Sequence, residues 1–290
     1  MNTFLSTLGT VRRLVVFLAV GLAAVQGRAQ EEKPLLDYRF DQTSGVTVND
    51  RGSANLPLTA SAALGWSARG TGVAGGTALG RVGDRDVVLE NRRAGGRGLD
   101  GLRAFTVCGW YKARFLERSN GVLFELMPSD GLGYRLHLAS RHNEAGVIEY
   151  SLVSSMMPKE PTPQAKGGVQ YSPWENALAV EDEWVFFAAV VDLRDSTRTI
   201  TFYSGSANKT PEVILGSFAK PASWADFTGT GKISGVRVAN SADMNQPVPV
   251  GFYFDDLSFF GSAKESGGAL SASEIRAVWE RTTGKKGGVR

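Results

Sequence analysis

Beyond Ala29 the chain is a succession of short apolar runs, many alternating with polar residues at a period of two, broken by glycine-rich and polar stretches. The pattern predicts strands over Leu35–Phe40, Asp86–Leu89, Phe105–Tyr111, Gly121–Met127, Tyr134–Ala139, Val147–Ser154, Trp184–Asp192, Thr199–Ser204, Lys232–Val238 and Phe252–Phe260. Turn signals such as Ser129-Asp130-Gly131, Asn143-Glu144-Ala145-Gly146 and Ser204-Gly205 fall between them. Many short strands at such spacing predict an all-β sandwich or barrel. One helix stands out, because Ser271-Ala272-Ser273-Glu274 is a capping-box pattern leading into Ile275, Ala277, Val278 and Trp279. The longest break, Pro158 to Glu181, holds Pro158, Pro161, Pro163 and Pro173. It reads either as a functional loop or as a tolerated surface insertion.

Residues 1–29 have the layout of a secretory signal peptide: Arg12 and Arg13, the apolar stretch Leu14 to Val25, then the small-residue site Gly27-Arg28-Ala29. The uncharged run from Leu14 to Gln26 falls well short of the ~20 residues of a spanning helix. The expectation is an exported protein, periplasmic, cell-surface or extracellular, with no membrane span in the mature chain. Neither an internal repeat nor a convincing linker interrupts the rest, so residues 30–281 read as one domain and 282–290 as a flexible Gly/Lys-rich tail.

Charge changes once the leader is set aside. The whole chain is +3, but Arg12, Arg13 and Arg28 all lie in the leader, so the 32 basic residues fall to 29 against 29 acidic ones. A neutral mature chain removes the main support for a nucleic-acid partner. Cys108 is the only cysteine, which excludes an intrachain disulfide. Alternation places it on one strand face with Thr106 and Trp110, as a buried inert thiol.

The order of several phrases carries a resemblance. Phe105-Thr106-Val107-Cys108-Gly109-Trp110-Tyr111-Lys112, Trp184 to Asp192, Thr199 to Gly205, and Phe254-Asp255-Asp256-Leu257-Ser258-Phe259 followed by Leu270-Ser271 form one series. Over Leu35 to Trp279 it resembles the laminin-G-like branch of the concanavalin A-like lectin/glucanase superfamily, with Phe187 where a histidine is common. The resemblance implies a jelly-roll β-sandwich of two antiparallel sheets with one short C-terminal helix. It also implies that the first and last strands meet and that a structural calcium sits near their join. Asp41, the carbonyl of Gly45, Asp50 and Asp256, with Asp255 as alternate, can supply the oxygens calcium needs. The other reading of these aspartates is that they cap turns. Strand alternation sends Asp255 and Asp256 to opposite faces, so that only one takes part.

The superfamily also invites an enzyme reading, and the residues argue against it. The glucanase strand E-x-D-x-E is absent, Glu181-Asp182-Glu183 is consecutive rather than alternating, and Asp84-Arg85-Asp86 has no third acid. No G-x-S-x-G occurs, and His137 and His142 are the only histidines. A hydrolase or lyase acting on polysaccharide is therefore the alternative, and a non-enzymatic module recognising carbohydrate or a glycosylated surface is the expectation. A cell-envelope structural or protein-interaction module is the third class. Trp174 and Tyr171 on the long loop are the expected stacking residues, with Glu175 and Asn176 beside them for hydroxyl groups and Trp66 and Trp224 next in line.

Overall fold

Runs of β-branched and aromatic residues with one or both faces apolar give this chain its strands. The computed structural model describes residues 32–61, 65–66, 71–80, 88–113, 120–159, 168–174, 178–239, 252–264 and 266–285. Glu32–Arg290 forms one compact unit, while Met1–Glu31, and with it the predicted leader, lies outside the described residues. The first half holds β1 (Leu36–Tyr38), β2 (Thr47–Val48), β3 (Leu58–Ala60), β4 (Gly65–Trp66), β5 (Leu79–Gly80), β6 (Leu89–Asn91), β7 (Ala104–Ala113), β8 (Asn120–Asp130) and β9 (Leu132–His142). There follow β10 (Ile148–Pro158), β11 (Gly168–Tyr171), β12 (Trp184–Asp192), β13 (Ile200–Ser206), β14 (Glu212–Phe218), β15 (Lys232–Val238), β16 (Phe252–Ser262) and the helix α1 (Ala272–Thr283).

These strands make two eight-stranded sheets. Sheet I runs β14-β13-β12-β7-β16-β5-β4, with β1 also paired to β16, and sheet II runs β11-β10-β9-β8-β15-β6-β3-β2. The paired strands are antiparallel, so the architecture is the expected β-sandwich. Aromatic pairs join the two inner faces. Phe105 of β7 meets Tyr134 of β9 edge-on at 4.6 Å between ring centroids, and Phe259 of β16 stacks on Phe124 of β8 at 5.0 Å. The first and last strands do pair, with Leu36 opposite Phe259 and Tyr38 opposite Leu257.

Sheet I is covered on its other face as well. Cys108, Trp110, Phe186, Ala188 and Phe260 point away from the inter-sheet core and pack against Ile275, Val278 and Trp279 of α1. The helix starts in the expected capping box, Ser271 with Glu274, and ends at Gly284 in the left-handed conformation. Two indoles tie it down: Trp110 Nε1 donates to Thr282 Oγ1 at 2.9 Å and Trp279 Nε1 donates to the Ser206 carbonyl at 2.9 Å. Thr282 is thus a buried helical residue rather than the start of the tail, and 286–290 lie outside the described residues. Cys108 is fully buried under this helix, and burial above all pushes its thiol up to about 12, which keeps it inert.

The long break proves partly structured. β10 runs on to Pro158, Gly168–Tyr171 pairs with it as an edge strand, and Leu178 is buried in the core, its carbonyl accepting from the Tyr111 hydroxyl.

Candidate functional site

The outer face of sheet II carries a continuous row of charged side chains. Register partners on neighbouring strands share a face. Thr47, Thr59, Glu90, Arg237, Glu125, Arg135, Ser155 and Val169 follow one another in register across all eight strands of sheet II. The four charged members alternate in sign and join directly. Arg237 Nη1 donates to Glu125 Oε2 at 3.1 Å, its Nε donates to Glu90 Oε2 at 3.1 Å, and Arg135 Nη2 donates to Glu125 Oε1 at 2.8 Å. Glu125, Arg135 and Arg237 are nearly inaccessible, whereas Glu90, at the outer end, is part-exposed and is also engaged by Arg92 Nε. Charges this deep persist because each is paired.

His137 lies in the next row, opposite Val122, Val153 and, one strand further, Tyr171. Burial, and then the charge of Arg135, hold its imidazole down at about 4, so it is neutral at physiological pH.

The two ends of this face differ. At the β11 end, Tyr171 is about half exposed and its ring lies 6.2 Å from that of Trp174, while the guanidinium of Arg141 sits 4.7 Å from the Trp174 ring centroid. Arg141 is itself held by Glu149, Nε to Oε2 at 2.9 Å, and Asn143 Nδ2 donates to the same carboxylate at 3.2 Å. The result is an aromatic pair backed by a fixed polar cluster. At the β3–β6 end a cavity of about 440 Å³ opens, lined by Thr59, Ser61, Glu90 and Arg92 among others.

The predicted binding residues divide accordingly. Tyr171 and Trp174 do come together; Glu175 and Asn176 lie outside the described residues. Trp66 sits in β4 at the edge of sheet I, in the other sheet from the aromatic pair. Trp224 is no stacking residue at all, being fully buried at the end of the 3-10 helix Ala222–Trp224 beneath Gly168 of β11.

The four predicted calcium ligands do not form one donor set. Asp50 is a turn cap: Oδ1 accepts from the amides of Asp37 and Gly52 at 2.8 and 2.7 Å, and Oδ2 accepts from Leu56 at 2.8 Å. Asp256 Oδ1 is taken by Arg39 Nη1 at 3.1 Å, Asp41 is half exposed 3.8 Å from Arg51, and Gly45 is exposed. Among the described residues no group of three or more His, Cys, Asp and Glu side chains is arranged to hold a metal.

Alternation fails at Asp255 and Asp256. The register of β16 against β7 shifts there, with Asp255 opposite Trp110 but Ser258 opposite Cys108, and Asp256 has a φ of 44°. Both carboxyls are consequently buried together near the strand join. Asp255 accepts from the amides of Val73 and Asp256, each at 2.9 Å. Burial first, and the Asp256 charge second, push Asp255 up to about 8. Asp256 is raised to about 6 by burial, with Arg39 pulling the other way.

Sequence reasoning missed Glu90, Glu125, Arg135, His137 and Arg237. The signal was there: Glu125, Arg135 and Arg237 each interrupt an apolar run at the centre of a strand, as in Val236-Arg237-Val238.

Among proteins of known structure, the fold is similar to the binding domain of botulinum neurotoxin DC. In its complex with rat synaptotagmin II the TM-score is 0.54 at 10% identity, covering 86% of this chain and 52% of that one. In its complex with SialylT the TM-score is 0.53 at 11% identity, covering 87% and 52%. This chain therefore spans about half the length of those structures, and the likeness is one of fold. No family model matches the chain, and no curated protein matches it.

Proposed function

We propose that this chain is an exported, non-enzymatic module of the laminin-G-like type that recognises carbohydrate or a glycosylated surface through the β11 edge of sheet II. The observation that carries this is the Tyr171–Trp174 pair, formed by the last residue of β11 and the segment that follows it, with Arg141, Glu149 and Asn143 held beside it. A pyranose needs a flat aromatic for its apolar face and directional polar groups for its hydroxyls. Arg141 covers one face of the Trp174 indole, and the sugar takes the other. The neurotoxin domains of like fold are known in complexes with SialylT and with synaptotagmin II, so the architecture serves ligand recognition elsewhere. The non-enzymatic reading draws on Glu90 and Glu125, the two carboxylates of the buried row, each engaged by guanidinium groups and so poorly placed as acid and base.

A glycan array with the full chain, followed by Trp174→Ala, tests the reading. Binding to at least one glycan class is expected, and the variant loses about tenfold or more of that affinity. Its melting temperature stays within about two degrees, as for a surface change away from the core. Undiminished binding by the variant removes the site; an array with no glycan bound removes the function.

A further inference from the structure

We infer that the cavity between β3 and β6 is a second saccharide subsite, built for an acidic sugar whose carboxylate is received by Arg93. Its volume of about 440 Å³ falls in the range of small-molecule sites. Its lining includes residues of the kinds that meet a sugar: Thr59, Ser61, Glu90, Asn91, Arg92 and Arg93, beside the apolar Pro57, Ala60 and Val88.

Charge settles the class of ligand. Glu90 is already committed on both oxygens, Oε2 to Arg237 and Oε1 to Arg92. Arg93 is exposed and has no carboxylate partner among the described residues. The cavity rim therefore carries a cation that no described carboxylate neutralises, beside an acceptor whose position is fixed. A guanidinium matches a carboxylate in planar geometry with two parallel charge-assisted N–H donors, a stronger pairing than the neutral hydroxyls of a sugar offer.

The wall is set before any ligand arrives. Asn91 Nδ2 donates to the Pro57 carbonyl at 2.7 Å and Asn91 Oδ1 accepts from the Arg93 amide at 2.7 Å, which fixes the turn that presents Arg93. Glu90 is anchored from inside through Arg237 to Glu125 and Arg135. Such preorganisation lowers the entropic cost of binding. The cavity lies five strand spacings from β11 on the same face, or about 24 Å. It is thus a separate subsite, and it rests on the carbohydrate reading of the β11 edge only for the class of molecule.

Calorimetric titration of the full chain with a galacturonate oligosaccharide, a neutral oligosaccharide of equal length, and the neutral one bearing sulfate esters tests the subsite. Wild type is expected to bind the uronate oligomer at least tenfold more tightly than the neutral one at low salt. Arg93→Gln abolishes that margin and leaves neutral binding and melting temperature unchanged. With oligomers long enough to span the ~24 Å between the two subsites, Trp174→Ala weakens both ligands and preserves the margin. A margin that survives Arg93→Gln, or one that wild type lacks while still binding the neutral oligomer through Trp174, overturns the subsite alone. A sulfated oligomer bound as well as the uronate overturns the carboxylate assignment. No binding of any of the three overturns this subsite together with the function it rests on.

Discussion

Gly168 of β11 lies directly on the indole of Trp224: a Cβ built there would overlap Trp224 Cδ1 and Nε1. Trp224 is thereby the platform on which the edge strand of the proposed binding site is seated. Trp224→Ala is expected to cost about 3–5 kcal/mol, as for other buried tryptophans. Gly168→Ala overpacks the same contact at about 1–3 kcal/mol. The two changes share one contact, so the double variant should be less destabilised than the sum of the singles, read from denaturant unfolding of all four proteins. Strict additivity would mean that β11 does not bear on Trp224.

The charged row across sheet II makes a second prediction. Glu125 is buried between Arg135 and Arg237, 10 and 112 residues away in sequence. Glu125→Gln leaves two guanidinium groups facing one neutral amide in a site that water barely reaches. The expected loss is about 3–5 kcal/mol, typical of breaking a buried pair on one side. Thr59→Ala, in the same register row but exposed, should fall within about 0.5 kcal/mol. Equal effects at the two positions would show that the row is not a cooperative unit.

How much of this was legible depends on whether a feature is local. Trp184–Asp192 and Lys232–Val238 are observed with the bounds their apolar runs predict, and the Ser271–Glu274 box starts the helix where read. Glu212–Phe218 escaped notice because it is an edge strand. With one side unpaired it keeps Val213 and Leu215 exposed and has Gly216 at positive φ, which blurs the alternation. The ion-pair row could not be read, since Arg237 and Glu90 are 147 residues apart and meet only through strand register. Trp224 looked like a loop aromatic because its flanks read as turns, and nothing local announces the strand laid over it. The two adjacent aspartates were misassigned by a bulge; Gly109 permits it, since a Cβ there would come within 3.1 Å of Leu257 Cα.

Asp50 supplies a third test. It satisfies three backbone amides, one in β1 and two in the segment between β2 and β3, and two of these residues, Asp37 and Leu56, are themselves buried. Asp50→Ala should destabilise by about 2–4 kcal/mol, the scale of leaving buried donors unpaired. As a cap rather than an ion ligand, Asp50 should give that loss equally in calcium and in chelator. A loss seen only when calcium is present would return the residue to a metal site, because a ligand bound by the native state alone stabilises by mass action.

The pH dependence of stability should be governed by His137 on one side and by the neighbouring Asp255 and Asp256 on the other, which act in opposite directions. The folded His137 titrates near 4 against 6.5 for the free group, so between these values the unfolded chain binds the extra proton and stability falls as pH drops. Folded Asp255 is raised to about 8 from 3.8, so between those values the native state holds the extra proton and stability falls as pH rises. Asp256, raised to about 6, adds to the Asp255 slope below that value. From about 4 to 6 the two carboxyls together outweigh His137 and stability falls as pH rises; above 6.5 Asp255 acts without His137. The protein should therefore lose stability as pH rises from 6.5 to 8. Asp255→Asn keeps a neutral side chain in the same place and should flatten that loss. His137→Gln should leave it intact while removing the opposing slope on the acid side. Denaturant midpoints of the three proteins at pH 4.5, 6.5 and 8 decide the matter, and an alkaline loss undiminished in Asp255→Asn would place the responsible group elsewhere.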